Sequence, residues 1–380
     1  MTKIYLIRHG EAEGNVYRVW QGVTNGGISS RGVLQIEALS ERFKDIQLDA
    51  IYSSDLVRAV KTANAVNKYH NLKIRTDKRL REINCGEWEG KPFGNVAFYY
   101  PQETAYFNND PDKWVVTGAE KYSDVQQRMF DVLNEIAKDY PDKTVAVFSH
   151  GMAIRSLLAY INGIRSEEIY KLPHGDNTCV SYIEYESGNF SIKYLNDNSH
   201  LPAHLSVFGK QEWWKNSSGA DKLDLRDEPL DLKYDSALYA QCYERSWIAA
   251  HGSNNGFVAS LYLSAAKKHL KLDPFSVLKI YSDDEFVGII DMDPTRGMMH
   301  GYGWISLLYL EKDFRNKGLG VQFLGRAVSF FNDKGRHSIR LHVSEDNVHA
   351  LHFYNKNNFK IISKEKGSIS DLLLMQKEIG

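Results

Sequence analysis

"YLIRHGEAEGN", Tyr5 to Asn15, sets an apolar run directly before Arg8, His9 and Gly10, with Asn15 five positions beyond the glycine. A buried strand ending there carries two phosphate-seeking side chains at its tip, and the glycine lets the backbone turn sharply. "KTVAVFSHG" (143–151) repeats the design, an apolar run closed by Ser149, His150 and Gly151, with a helix expected from Met152. "DAIYSS" (49–54) reads as another strand, and "DLVRAVKTANAVNKY" (55–69) as a helix behind the serine caps Ser53 and Ser54. "SSRGVLQIEALSERFKDI" (29–46) carries Val33, Leu34, Leu39 and Phe43 at helical spacing, and "TCVSYIEYESGNFSIKYLN" (178–196) reads as a closing hairpin. Alternating strands and helices predict an α/β domain: a largely parallel sheet, helices on both faces, and ligands at the carboxyl ends of the strands. His9 and His150 both fall at such ends.

Composition bounds what such a chain does. At 380 residues it is too long for one ordinary core, so two domains are expected. Apolar content of 43% and charged content of 25% describe a globular protein, and a net charge of −1 offers no field to recruit nucleic acid or acidic membranes. Cys85, Cys179 and Cys242 are far apart and lack metal-ligand spacing, which fits a reducing compartment and implies no metal site. No apolar stretch approaches membrane-spanning length, and the first strand begins too early for a leader, so a cytoplasmic location is expected.

The alternating pattern fails near residue 200. Residues 201–222 are rich in Asn, Ser, Gly and Pro and read as a linker, in which Trp213 and Trp214 are expected to pack against a domain. From 223 to 380 the order changes: a short strand near "LDLR", helices over roughly 233–250 and 254–270, then the strands "FSVLKIY", "EFVGIIDMD" and "YGWISLLYL" in succession. A helix from Gly318, the strand "SIRLHV", a helix over 347–357 and two last strands complete it. Bunched strands predict a mixed, mostly antiparallel α+β sheet.

Arg8, His9, Arg58, Glu82 and His150 each lie at or near the end of a regular element and suit transfer of a phosphoryl group onto histidine and then water. Neutral imidazole is a competent nucleophile at physiological pH. Arg8, Arg58 and His150, if protonated, stabilise phosphoryl oxygens, and Glu82, if raised in pKa, gives the leaving alkoxide its proton. Residues 1–200 resemble the histidine phosphatase superfamily (phosphoglycerate mutase-like), whose signature is Arg-His-Gly after the first strand. The resemblance implies a three-layer α/β/α fold, His9 as nucleophile, Arg8, Arg58 and His150 as the phosphate pocket, and Glu82 as proton donor. It further implies that Asn15, Gln21 and Gly22 approach phosphate or substrate. Glu120, in "TGAEKYSDVQQR", departs from the family's Gly-Gly-Glu-Ser block. "INCGEWEG" after Glu82 resembles the broad and α-ribazole phosphatases, so a phosphomonoesterase is favoured over a phosphoglycerate mutase-type activity. The aromatic insert over 91–114 is read as a lid, and His174 in "LPHGDNT" falls where the far wall of the pocket could be.

"LYLEKDFRNKGLGVQFLGRAV" (308–328) runs a strand through Arg315, Asn316, Lys317, Gly318, Leu319 and Gly320 into an apolar-periodic helix. Its glycines let successive N–H groups turn toward one anion at a helix start. With "SEDNVHALHFYNKNNFKII" (344–362), the region resembles the GNAT acetyltransferases (acyl-CoA N-acyltransferase fold). That resemblance implies acetyl-CoA as cofactor and an amine acceptor. It places the pyrophosphate on 315–320, the pantetheine arm along Leu308 to Leu310, Asn347 beside the cofactor, and Tyr354 as the group that protonates the thiolate. Tyr354 reads equally as a packed core tyrosine, and Glu311 is the one candidate base. Two readings stay open: both domains are active, or the second only binds acyl-CoA.

Overall fold

The computed structural model describes residues 1–207, 224–367 and 370–379. Trp213 and Trp214, and most of the expected linker, lie outside the described residues. Two compact units form, Met1–Lys91 with Val96–Ala220, and Pro92–Asn95 with Asp221–Gly380.

In chain order the first part contains β1 (Thr2–Arg8), α1 (Glu13–Tyr17), α2 (Ser30–Phe43), β2 (Ala50–Ser53), α3 (Val57–Asn67), β3 (Ile74–Thr76), α4 (Phe93–Tyr99) and α5 (Pro101–Asn109). It continues with α6 (Tyr122–Asp139), β4 (Thr144–Ser149), α7 (Gly151–Ile161), β5 (Val180–Glu186) and β6 (Asn189–Asp197). The sheet order is β3-β2-β4-β1-β5-β6, parallel through β1 and closed by the antiparallel hairpin β5–β6. Alternate residues of β1 serve two cores, as a strand's pleat requires. Ile4 and Leu6 join the cluster that contains Met129 and Leu133 of α6 and Leu157 of α7. Ile7 joins Leu39 and Phe43 of α2 with Ala63 and Val66 of α3. The register puts Arg8 opposite Ser149, so His9 and His150 leave the sheet side by side.

Two local expectations shift. Val33 and Leu34 are exposed, and α2 instead buries Gly32, Gln35, Leu39, Ser40 and Phe43. The cause is close approach: a Cβ on Gly32 would stand 2.2 Å from the Glu11 carbonyl oxygen, so the helix presents its small residue to that chain. Helix α3 has Leu56 as its N-cap, and Ser54 Oγ accepts both the Leu56 N–H at 3.3 Å and the His150 Nε2–H at 2.8 Å. In the insert, Phe107 and Trp114 pack with Trp20 and Trp88, while Phe98 and Tyr99 are exposed. Burial explains part of that aromatic content without a ligand.

The second part contains β7 (Arg226–Pro229), α8 (Leu232–His251), α9 (Ala259–Leu272), β8 (Val277–Ser282), β9 (Glu285–Asp293) and β10 (Tyr302–Leu310). Then come α10 (Gly320–Asn332), β11 (Ser338–Ser344), α11 (Val348–Lys356), β12 (Lys360–Glu365) and β13 (Leu372–Glu378). The order is β12-β13-β11-β10-β9-β8-β7, antiparallel except for β10 with β11. That parallel pairing covers only Tyr302–Trp304 against Ser338–Arg340, whereas β11 pairs β13 along its whole length. A register shift between Ile305 and Leu307 marks where β10 leaves β11. Beyond it, residues 305–310 have no strand partner on their β11 edge among the described residues.

A buried polar network underlies this sheet. Tyr239 donates to Asp291 Oδ2 at 2.6 Å, and His269 reaches Asp291 Oδ1 through Nδ1 at 2.7 Å and Asp293 Oδ2 through Nε2 at 3.3 Å. Carboxylates only accept, so both ring nitrogens carry protons and His269 is a cation. Burial pulls its pKa down, but the two carboxylates outweigh burial and raise it to about 9. The folded value exceeds the ordinary one of 6.5, so this stabilisation is complete below pH 6.5 and is lost as pH rises through about 9. Denaturant unfolding of the second unit should therefore lose roughly 3 kcal/mol between pH 6 and pH 10 that His269→Leu does not lose. Equal pH dependence in the two proteins would show that the ring is not held as a cation.

Candidate active sites

The His9 N–H bonds to Ser149 O at 3.0 Å, which ties the turn after β1 to the end of β4. His9 Nδ1 lies 2.7 Å from the Gly10 carbonyl oxygen, an atom that can only accept. The proton therefore sits on Nδ1 and the lone pair on Nε2. His9 is buried, and burial, with Arg58 and Arg8 nearby, pulls its imidazole well below the ordinary range. The ring is neutral at physiological pH, as a nitrogen nucleophile requires.

His150 stands with its ring centroid 5.1 Å from that of His9. Arg58 Nε donates to its Nδ1 at 3.2 Å, so Nε2 carries the hydrogen and points it at Ser54 Oγ. Burial and Arg58 lower its pKa far below the ordinary value. In this arrangement His150 is neutral, with Nδ1 accepting from Arg58 and its one N–H turned to Ser54. Arg58 is itself buried, and burial brings its pKa down to about 10, leaving it a cation at neutral pH. Its Nη1 and Nη2 donate to Thr24 O at 2.9 Å and Gly22 O at 2.7 Å. Arg8 donates through Nη1 to Gly175 O at 2.5 Å, while its Nε is buried without a partner. That N–H lies against Gly151, and an unsatisfied guanidinium N–H is what an anion would complete.

Glu82 lies at the start of α7. Its Oε1 accepts from Ile83 N at 2.9 Å and Ala153 N at 2.8 Å, and its Oε2 from Met152 N at 2.9 Å. The helix end is satisfied by this carboxyl group, which stands at the same strand ends as His9 and His150. Arg128 fixes the segment that carries it, donating to Arg79 O, Arg81 O and Glu82 O at 2.6, 2.7 and 3.1 Å. Glu120 pairs with Arg128 Nε at 2.6 Å, so it acts by holding that arginine.

The loop around Gly22 is held from two sides. Arg58 takes its carbonyls, and Glu89 accepts from the amides of Gly22, Val23 and Thr24 at 3.2, 2.9 and 3.2 Å and from the Thr24 hydroxyl. A Cβ on Gly22 would lie 2.2 Å from the Ile83 carbonyl oxygen, which explains the glycine. Gln21 packs over Gly14 and Gly26 with its Oε1 buried and unpartnered, and Asn15 caps α1 by accepting from Ala12 N at 3.0 Å. His174 accepts from Arg155 Nη1 at 3.1 Å, and no contact joins it to His9. Glu89, Arg128 and Ser54 carry functional geometry that motif reading passed over; "GEWEG" offers two glutamates and no sign of which turns inward.

In the second unit, Asn316 and Gly318 take left-handed backbone, at φ 61° and 77°. Helix α10 begins at Gly320 with no side-chain cap, a helix start of the kind that suits an anion. This loop lies just past Leu308 and Leu310, on the stretch of β10 that β11 leaves open; the Leu310 carbonyl also accepts from Arg315 Nε at 2.9 Å. An extended, amide-bearing arm fits that open edge, and a pyrophosphate fits the uncapped turn with Lys317 and Leu319. Asn347 caps α11, accepting from Ala350 N at 3.1 Å. Tyr354 is buried between Phe353 and Phe359, and burial raises its phenol. Glu311 is bonded to Arg245 Nη1 at 2.7 Å and to the Tyr309 hydroxyl at 3.0 Å.

A family model described as the histidine phosphatase superfamily (branch 1) matches residues 4–198. The chain belongs to this superfamily. A second model, the acetyltransferase (GNAT) family, matches residues 237–359, so the fused C-terminal domain is of GNAT type. Phosphoserine phosphatase 1 of Hydrogenobacter thermophilus is 31% identical over 201 residues, covering 53% of this chain and 95% of that protein. The uncharacterized phosphatase PhoE of Bacillus subtilis is 31% identical over 54% of this chain and 100% of its own. Among solved structures, YhfR of Bacillus stearothermophilus superposes with a TM-score of 0.51 at 32% identity, over 53% of this chain and 99% of that one. Among the described residues no cluster suits a metal ion, and no helix is long and apolar enough to cross a membrane.

Two substitutions test the geometry. Glu89→Ala strips the acceptor from four backbone amides, Cys85 included, and should lower the unfolding free energy of the first unit by about 1–3 kcal/mol. Unchanged unfolding would mean the loop is held elsewhere. Gly318→Val meets no atom within 4 Å, so its cost is backbone strain at positive φ rather than crowding. A penalty of about 1–2 kcal/mol should weaken acetyl-CoA binding roughly tenfold by calorimetry; equal affinity would remove the loop from the site.

Proposed function

We propose that the first domain hydrolyses a small phosphate monoester through a phosphorylated His9, without a metal. The observation that carries this reading is the Nδ1 bond to Gly10 O, which leaves Nε2 with a free lone pair beside two arginines. In the first step Nε2 attacks phosphorus and the bond from phosphorus to the ester oxygen breaks. Glu82, held at the start of α7 by backbone N–H groups, passes a proton to the departing alkoxide. Arg8 and Arg58 neutralise the equatorial oxygens, and His150 holds Arg58 in place through Nδ1. In the second step water attacks the phosphoryl group, the N–P bond breaks, and the proton of water returns to Glu82. Asn15, Gln21 and Gly22 shape the wall of this pocket. Phosphoserine, the substrate class in one relative's name, and α-ribazole phosphate head the panel of esters to test.

For the second domain we propose acetyl transfer to an amine. Acetyl-CoA, when bound, supplies an activated thioester. Residues 315–320 hold its pyrophosphate, Leu308 and Leu310 its pantetheine arm, Asn347 lies alongside, and the protonated Tyr354 supplies a proton to the released thiolate. The pairing of Glu311 with Arg245 favours a second reading, in which this domain binds acyl-CoA without turnover. Acetyl-CoA hydrolysis or transfer across an amine panel separates the two.

The deciding experiment is phosphate release from an aryl phosphate with chelator present, wild type against His9→Ala. Release should be chelator-insensitive and fall at least 10³-fold in the variant, about 4 kcal/mol of transition-state stabilisation. Residual activity above a tenth of wild type would exclude His9 as the nucleophile.

A further inference from the structure

Against the His9 carbonyl lies a chain of side chains that the chemistry above does not use. Thr178 is fully buried and takes φ 61°, a left-handed conformation that a β-branched residue adopts only when its surroundings impose it. Its N–H donates to His9 O at 3.3 Å, and the side chain of Asn177 donates to the same oxygen at 3.1 Å. The strained turn thus delivers two donors to one carbonyl.

What imposes the turn can be followed outward. Thr178 Oγ1 lies 2.7 Å from Asn177 O and 3.1 Å from His200 Nε2. His200 Nδ1 lies 3.2 Å from Arg42 Nη1, and a guanidinium only donates. His200 Nδ1 is therefore the acceptor, Nε2 carries the hydrogen and gives it to Thr178 Oγ1, and the threonine hydroxyl passes its own to Asn177 O. Every bond has one sense. Arg42 is anchored in turn by Asp197, through Oδ2 at 2.7 Å and the main-chain oxygen at 3.2 Å, and by the Tyr194 hydroxyl at 3.3 Å.

We infer that Arg42, His200, Thr178 and Asn177 form a relay of hydrogen bonds that positions the nucleophile, fixing the His9–Gly10 peptide so that Gly10 O holds His9 in its Nδ1–H tautomer. The peptide is pinned at both ends, its oxygen by Asn177 and Thr178 and the Gly10 N–H by Thr62 Oγ1 at 3.0 Å. The Gly10 carbonyl that sets the tautomer hangs from this plane. Loss of His200 frees Thr178 Oγ1 and removes the restraint on its backbone. These are positioning residues: none touches the reacting atoms.

The inference rests on His9 being the nucleophile, and two readouts keep the two ideas apart. Ring-nitrogen NMR of the full chain should show one Nδ1–H tautomer for His9 in the wild type and averaged shifts in His200→Ala. With an aryl phosphate, kcat should fall about 10- to 100-fold while KM stays within about twofold. Thr178→Ser, which keeps the hydroxyl, should match the wild type in both. If His200→Ala does not fold, Thr178→Val breaks the same link and leaves Arg42 with its histidine. Wild-type ring shifts in a folded variant overturn the relay, as does a loss confined to KM. A wild type that releases no phosphate removes the proposed reaction, and the ring shifts still decide the relay.

Discussion

The parallel register of β1 against β4 is the constraint from which the first site follows. Arg8 lies opposite Ser149, and the His9 N–H closes on Ser149 O one step beyond. Two loops more than a hundred residues apart therefore leave the sheet at the same height. A slip of one residue would turn Ile4 and Leu6 away from their core and point the two histidines in opposite directions. The apolar cores on the two sheet faces thus hold the catalytic geometry as firmly as any bond within the site. The second unit uses the opposite device: β10 and β11 pair for three residues and then part, and the separated edge faces an uncapped helix start.

Much of this was legible in the sequence because strand ends announce themselves. "YLIRHG" and "VFSHG" show apolar runs broken by His-Gly, and the alternation of helices between them leaves few topologies. The β9 and β10 boundaries follow the apolar runs "EFVGIIDMD" and "YGWISLLYL" directly. What was hidden depends on partners distant in the chain. Ser54 reads as a helix cap, and nothing local shows that its hydroxyl also meets His150. Nothing in "GEWEG" shows that Glu89 is the glutamate that takes the amides of the loop at Gly22. Val33 and Leu34 fit an apolar stripe, yet the contact of Gly32 with Glu11 turns them outward. Local pattern fixes which element forms, whereas the side chain's final partner is chosen by packing.

Buried histidines in the two units show how neighbours set charge. His9 and His150 lie among arginines and are held neutral; His269 lies between two carboxylates and is held as a cation. Burial acts the same way on all three, disfavouring the charged form, so the sign of the adjacent groups decides. In the first unit this gives Arg8 and Arg58 two uses from one placement. They disfavour protonation of His9, and in the proposed reaction the same two cations would meet the phosphoryl oxygens. An acidic neighbour in place of either arginine would favour the protonated ring and remove the lone pair the reaction needs.

The same reasoning explains why Arg58 spends its donors on Gly22 O, Thr24 O and His150 Nδ1. A buried guanidinium without partners would be costly, and carbonyl oxygens supply them without adding a charge that would raise the imidazoles. Glu89, the carboxylate nearest that loop, takes the amides of the segment whose carbonyls Arg58 takes. The negative charge is thereby separated from His9 by the loop itself. Arg58 takes the carbonyls and Glu89 the amides of one loop, joined through a glycine whose Cβ would meet the Ile83 carbonyl oxygen. That placement of cations keeps His9 neutral, the state the proposed phosphoryl transfer requires of it.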